Sequence, residues 1–286
     1  MDVSENSGLR SVFAHIWLSA DSGISRRSKQ FVACVVPRRL LIAAKKRYYA
    51  ALIKDPRTPR EADMDALNQV IRPGDFALDI GAFVGFYTQR LSQLVGATGE
   101  VWAFEPVQET FSILSYVARE LSLNNVRLLN LALSDSNGEA VMEIPRYRRG
   151  GESLYDARIV SNRSPSRLRS VAIERRTLDS LLSGEPCRRT VHFMKLDVEF
   201  HELHTVCGAL ETIRRDHPVI LTEWLATSDP ANSRPKLLQM LEAESYKAFQ
   251  VVDGEFVPCA PDENCQNRFF LTQSHAAEFS HHVRWN

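Results

Sequence analysis

The chain predicts an α/β fold: a doubly wound, mostly parallel sheet with an antiparallel C-terminal end and an N-terminal helical extension. Three observations carry that expectation. Short apolar runs near residues 76–80, 100–104 and 126–131 alternate with segments of helical period. Such alternation builds a parallel sheet with right-handed crossovers. The first run, Phe76-Ala-Leu-Asp79-Ile-Gly81-Ala-Phe-Val-Gly85, enters a tight glycine turn ahead of a helix. The second, Val101-Trp-Ala-Phe104-Glu105-Pro106, ends in an acid a little over twenty residues further on.

Taken in order, residues 1–60 form a basic extension, with Arg26, Arg27, Lys29, Arg38, Arg39, Lys45, Lys46 and Arg47. Residues 40–53 read as an amphipathic helix that ends before Pro56 and Pro59. Such a helix either packs on the main domain with its basic face in water or offers that face to an anionic partner or membrane surface. The main domain, residues 61–286, opens with a helix over 61–72 and a strand over 76–80. Then come helix 85–95, strand 100–104, helix 107–122, strand 126–131 and a short strand over 137–144.

Residues 145–176 break the alternation with nine arginines. They read as an irregular insertion, and a long one in a compact domain is usually functional or mobile. Guanidinium groups there suit an anionic or sugar-bearing substrate. Trimming residues 148–168 is therefore expected to spare cofactor binding and abolish turnover. Helix 177–183, strand 191–197, helix 202–215, strand 219–223 and helix 234–244 follow. The late segments 246–252 and 267–272 supply the antiparallel end.

Composition excludes several classes. Lys and Arg number 35, as do Asp and Glu, so overall charge supplies no argument for a nucleic-acid partner. Five cysteines without regular spacing argue against a disulfide scaffold. Cys259 and Cys265 are the close pair near the C-terminus and read as ordinary reduced thiols, too few for zinc. The longest apolar stretch, residues 31–44, is broken at Pro37 and too short to span a bilayer. The acidic start Met-Asp-Val-Ser-Glu has no signal-peptide pattern. A cytoplasmic protein is expected.

The glycine turn separates two ligand classes. Gly81 and Gly85 permit positive φ or close backbone approach, and the helix amides beyond them offer donors to an anionic group. A dinucleotide site has Gly-x-Gly-x-x-Gly. Here the pattern is Asp79-x-Gly81-x-x-x-Gly85. An acid two residues before the first glycine suits a ligand with an ammonium group and no pyrophosphate. S-adenosylmethionine (SAM) meets that description, and Glu105 stands where an acid accepts hydrogen bonds from both ribose hydroxyls.

With those residues in place, the chain resembles the FkbM-type methyltransferases, SAM-dependent enzymes of the Rossmann-like class. Beyond the two motifs above, the matching stretches are Asn130-Leu-Ala-Leu-Ser-Asp135, Thr177-Leu-Asp-Ser-Leu and Lys195-Leu-Asp197-Val-Glu199-Phe-His201-Glu202. Together they span roughly residues 65–272. Two positions depart from the pattern: Phe83 stands where the family usually has Asn, and Phe200 where it usually has Gly.

The resemblance implies that Asp79, Gly81 and Gly85 surround the methionine end of SAM, that Glu105 holds the ribose, and that Ala132 and Leu133 line the adenine. Independently, ligands in open α/β sheets bind beyond the carboxyl ends of the strands, where Asp79, Glu105, Ala132 and Asp197 all fall. His201 is the group in the fourth motif whose ordinary pKa lies near neutrality, as a general base requires. Asp197 and Glu199 would orient it, raise its pKa or bind a cation, and Glu223 stands at the same edge; no metal is assigned. His192, His204 and His217 read as structural or solvated.

The resemblance also implies methyl transfer to a hydroxyl of a small molecule or saccharide. Phe83 and Phe200 leave open a second class, a SAM-binding module without activity. A nicotinamide oxidoreductase is disfavoured by the glycine spacing.

Overall fold

The computed structural model describes residues 37–59, 61–145, 157–160, 169–186, 189–224, 233–260, 263, 265–279, 281 and 283. The basic residues Arg26, Arg27 and Lys29, and much of the arginine-rich segment, lie outside these.

Its centre is an eight-stranded sheet. Strands β1 (Phe76–Ile80), β2 (Glu100–Phe104), β3 (Val126–Leu129), β8 (Phe193–Leu196) and β9 (Val219–Glu223) run parallel. The remaining strands are β10 (Lys247–Val252), β11 (Glu255–Pro258) and β12 (Asn267–Leu271), giving the order β11-β10-β12-β9-β8-β1-β2-β3. β12 is antiparallel to both its neighbours, β9 and β10. The expected parallel sheet with an antiparallel end is therefore present, with β11 as an extra hairpin strand.

Strand alternation sends side chains to two helical layers. Phe76, Leu78, Ile80, Met194, Leu196 and Ile220 pack with helices α5 (Leu178–Ser183), α6 (Glu202–Cys207), α7 (Leu210–Asp216) and α8 (Ser233–Ala243). Ala77, Val101, Phe193, Leu221 and Phe269 pack on the other face, with α2 (Ala62–Val70) and α3 (Phe86–Val95). A short helix α9 (Gln273–Glu278) follows β12. The sheet is buried on both sides, so its strands read as continuous apolar runs.

The segment 145–176 departs from expectation. Instead of an irregular insertion, its described parts are β6 (Arg158–Val160) and β7 (Arg169–Arg176). With β4 (Ala132–Leu133) and β5 (Gly138–Ile144) they make a second sheet of order β4-β7-β5-β6. β5 and β7 pair over Gly138↔Arg175 to Ile144↔Arg169. The arginines hid this, because Arg169 and Arg175 share a strand face with Val171 and Ile173 and break its apolar pattern. The expected strand over 126–131 likewise ends at Leu129, and its continuation joins the second sheet.

The helix expected over 202–215 is two helices. Gly208 lies between them, and a Cβ there would stand 1.9 Å from the Ser134 carbonyl oxygen. That close approach stops α6 and restarts the chain as α7.

Helix α1 (Arg38–Lys54) packs on α4 (Gln108–Glu120) rather than standing apart. Ala50 and Ile53 bury against Val84, Ile113 and Val117. Lys45 Nζ lies 3.3 Å from Glu109 Oε1, and Arg38 pairs with the same carboxylate. Arg39, Arg47 and Lys54 remain exposed. Among the described residues, no helix is long and apolar enough to cross a membrane.

Candidate active site at the carboxyl ends of β1, β2 and β8

A cavity of about 60 Å³ lies where the second sheet covers the carboxyl edge of the first. Gly81 and Phe83 bound it after β1, Glu105 to Val107 after β2, and Asp197 to Glu199 with His201 after β8. Leu131 to Leu133, Met142, Ala157 and Ile159 close it from the second sheet. The structure brings Gly81, Glu105, Ala132, Leu133, Asp197, Glu199 and His201 together around this cavity.

The first turn is held by its own backbone. Gly81 N and Ala82 N donate to Phe104 O at 3.0 and 2.9 Å. Gly81 has φ +85, and a Cβ on it would fall 1.9 Å from Asp197 O. The close approach that requires glycine is thus made by the β8 turn. Gly85, at φ +102, caps α3, and a Cβ there would press on Leu114 at 2.8 Å. It shapes the turn from behind and does not bound the cavity.

Glu105 is buried. Its Oε2 accepts from Phe83 N at 3.1 Å and its Oε1 from Val107 N at 2.9 Å. Burial pushes its pKa up to about 8, against the lowering effect of those two hydrogen bonds. Asn130 Nδ2 donates to Glu105 O at 2.8 Å and Pro106 O at 3.1 Å, fixing the strand end that carries the acid.

Asp79 lies elsewhere than expected. By alternation it faces α3, where Oδ2 accepts from Thr88 Oγ1 at 2.5 Å. It is paired in register with Lys195 and does not bound the cavity. Burial raises its pKa to about 6, with Lys195 opposing the rise. Lys195 Nζ lies 2.9 Å from Asp197 Oδ2 and 4.3 Å from the Tyr87 ring centroid. Burial works against this ammonium, but Asp197 and Asp79 outweigh it and its pKa is raised. The same polar layer continues through Tyr87 Oη to Glu61 at 2.6 Å, and Asn267 Nδ2 to Asp63 at 2.8 Å.

His201 is buried, with Nε2 3.0 Å from Ser134 Oγ. Its ring stacks on His204 at 4.5 Å. Burial, with His204 beside it, pushes its pKa down to about 4. That corrects the expectation of a base titrating near neutrality: the acids do not raise it, and the pocket lowers it. Carboxylate oxygens of Asp197, Glu199 and Glu223 lie within 4.8 Å of one another, so Glu223 joins the site through this cluster. Such a donor set suits a hard cation or a hydroxyl donor.

Both departures from the family pattern carry left-handed backbone. Phe83 has φ +50 and Phe200 φ +69, with Glu199 beside it at φ +46. These are the conformations that asparagine and glycine adopt at least cost.

Ser134, Lys195 and the walls Met142, Ala157 and Ile159 were not assigned roles from the sequence. Lys195 carried a signal, since a lone cation inside an apolar strand requires a partner. The alternation Ala140, Met142, Ile144 likewise marked a buried face on β5.

The family profile described as "Methyltransferase FkbM domain" matches residues 79–248. No curated protein matches the chain. Among solved structures, the chain is similar to the methyltransferase FkbM of Methylobacillus flagellatus KT, at 14% identity and TM-score 0.45 over 80% of this chain. It spans 58% of that protein's length. It is also similar to a SAM-dependent methyltransferase of Aquifex aeolicus, at 18% identity and TM-score 0.39, covering 73% of this chain and 88% of that one. A third is Aeropyrum pernix fibrillarin with natively bound SAM, at 13% identity and TM-score 0.42, covering 71% and 68% respectively.

Proposed function

The chain belongs to the FkbM methyltransferase family, and from that premise we propose that it uses SAM to methylate a hydroxyl of a small molecule or saccharide in the cytoplasm. The observation that carries this reading is one cavity bounded by the Gly81 turn and Glu105 on one side and by Asp197, Glu199 and His201 on the other. A nucleoside recognised on the first side leaves its reactive end toward the second.

SAM supplies an electrophilic methyl carbon on a sulfonium sulfur. Glu105 accepts the ribose hydroxyls, more strongly as the carboxylate than as the acid. Ala132, Leu133, Met142 and Ile159 give the apolar wall for the adenine. At the acceptor end, His201 is neutral at pH 7, since its pKa is down near 4. With Nε2 held by Ser134, Nδ1 is the ring nitrogen that receives the acceptor proton. Glu199 and Glu223 accept hydrogen bonds from neighbouring hydroxyls and fix the attack line, where alignment alone is worth several kcal/mol, about 7–11 at best.

The test is transfer of radiolabelled methyl from SAM to a panel of glycosides and hydroxylated lipids. His201→Ala should lower the rate with SAM affinity unchanged, by less than the roughly 10²–10⁴-fold usual for a base matched to neutral pH, because a pKa near 4 makes the imidazole a weak base. The wild-type rate should be flat with respect to His201 between about pH 6 and 8, because the group stays neutral there. Tight SAM binding with no transfer to any acceptor would support the inactive module instead, which the left-handed Phe83 and Phe200 favour.

A further inference from the structure

Behind the β9 edge, and apart from methyl transfer, two thiols meet a buried cation. Cys259 Sγ and Cys265 Sγ lie 3.6 Å apart. Cys259 is buried and Cys265 half-buried. Arg268 is buried in β12, and its Nε donates to Cys265 Sγ at 3.2 Å. Its Nη2 donates to Ala260 O and Glu263 O, both at 2.8 Å, so the guanidinium also ties down the chain between the cysteines. The other face of the guanidinium covers the Trp224 ring at 4.3 Å. Trp224 directly follows Glu223, and its backbone amide donates to Gln266 O at 2.6 Å.

This arrangement differs from a pair of thiols that happen to be neighbours. A reactive cysteine is partly exposed and sits beside positive charge, whereas an inert one is buried in apolar surroundings. Here the two conditions fall on different partners. Cys265 has the exposure and the arginine. Cys259 is held behind it in contact with its sulfur, and burial pushes its thiol up to about 12. One sulfur is placed to meet an oxidant, and the other to resolve the product.

We propose that Cys259 and Cys265 form a hydroperoxide-responsive dithiol, in which Cys265 takes the oxidant and Cys259 closes a disulfide. The Cys265 sulfur attacks the terminal oxygen of the hydroperoxide. The O–O bond breaks, Cys265 becomes a sulfenic acid, and the thiol proton leaves with the departing alkoxide or hydroxide as alcohol or water. The Cys259 sulfur then attacks the sulfenic sulfur, the S–O bond breaks, and water leaves with the Cys259 proton. Two thiols lose two electrons and two protons, and the hydroperoxide accepts both. Once bonded, Cys265 no longer serves Arg268 as the same acceptor, so the guanidinium shifts on Trp224 beside the acidic cluster.

The experiment treats the full chain with hydrogen peroxide, blocks remaining thiols, and maps peptides by mass spectrometry. A Cys259–Cys265 link, reversed by dithiothreitol, is expected before any change at the exposed Cys207. Cys259→Ser should accumulate a dimedone-reactive sulfenic acid at Cys265, and Cys265→Ser should leave Cys259 unlabelled. Trp224 emission, taken as wild type minus Trp224→Phe, should change on oxidation and return on reduction. The wild-type map needs no variant and stands even where a serine variant misfolds. Oxidation of Cys207 with the pair still reduced, or a sulfenic acid on Cys259 instead of Cys265, would overturn the proposal.

Discussion

At Gly81, a methyl group would have to occupy space already held by the Asp197 carbonyl, 1.9 Å away. A left-handed L-residue costs about 1–2 kcal/mol in addition. Gly81→Ala should therefore lower unfolding free energy in urea by about 3 kcal/mol or more, since overpacking adds about 1–3. Phe200→Gly works in the opposite direction. Release of φ +69 should stabilise by about 1 kcal/mol, within the range for strained backbone; a loss would mean that the ring, 5.8 Å from Arg234, matters more. At Glu105, ribose hydroxyls donate more strongly to the carboxylate than to the acid. With its pKa up near 8, SAM affinity should rise as pH climbs from about 6.5 toward 8.5. Glu105→Ala should remove that dependence and weaken SAM by about 1.5–3 kcal/mol, the scale of a charged hydrogen bond; isothermal titration across pH reads both. The identities of Gly81 and Glu105 were legible because a turn and a strand end constrain residue type locally. The side-chain direction of Asp79 and the low pKa of His201 were not, because they depend on α3 and on the burial of the imidazole against Ser134 from another element.

Ligand pockets usually hold about 300–1,000 Å³, so a cavity of about 60 Å³ has to widen for a nucleoside. Among the described walls, β6 is a partly exposed three-residue strand at the sheet edge, paired with β5, whereas the opposite edge strand β4 is buried. The β6 amides should change their hydrogen-exchange rate most on SAM binding; protection confined to the first glycine turn would place the opening elsewhere. Because Ala157 and Ile159 bound the cavity, trimming 148–168 should now weaken SAM as well as stop turnover, which replaces the earlier expectation of unchanged affinity. The central strands were legible from apolar runs bounded by turn residues. The second sheet was not, because its edge is half-exposed and its alternation carries arginine, and the α6–α7 break depends on Ser134 from another element.

The whole molecule titrates unusually because it buries several acids and histidines. Glu105, Glu202, Asp79 and Asp63 are raised to about 8, 7, 6 and 6. An acid with a raised folded pKa holds its proton longer when folded, so stability falls as pH rises through that window. His201 and His275 are lowered to about 4. The unfolded chain then binds their protons first, so stability also falls as pH drops from about 6.5 toward 4. From about pH 4.5 upward the four acids outweigh the two histidines, so thermal stability of the free protein should fall as pH rises toward 8, and SAM should lift the alkaline side most by favouring ionised Glu105. A maximum above pH 8 would contradict these burials. Deleting residues 37–54 should cost about 2–4 kcal/mol, because Val84, Ile113 and Val117 lose the cover of Ala50 and Ile53.

The position of β12 sets an order of events during synthesis. It is the last described strand in chain order, yet it lies between β9 and β10. While a ribosome is still making residues 259–271, β9 has an open edge and the β10–β11 hairpin has no sheet to join. Both are templates for unwanted pairing. Asn267, which reaches Asp63 across the layer, arrives with the same strand. The nascent chain therefore carries both open edges until Asn267–Leu271 has emerged, and chaperone demand should rise for chains stalled just short of Asn267.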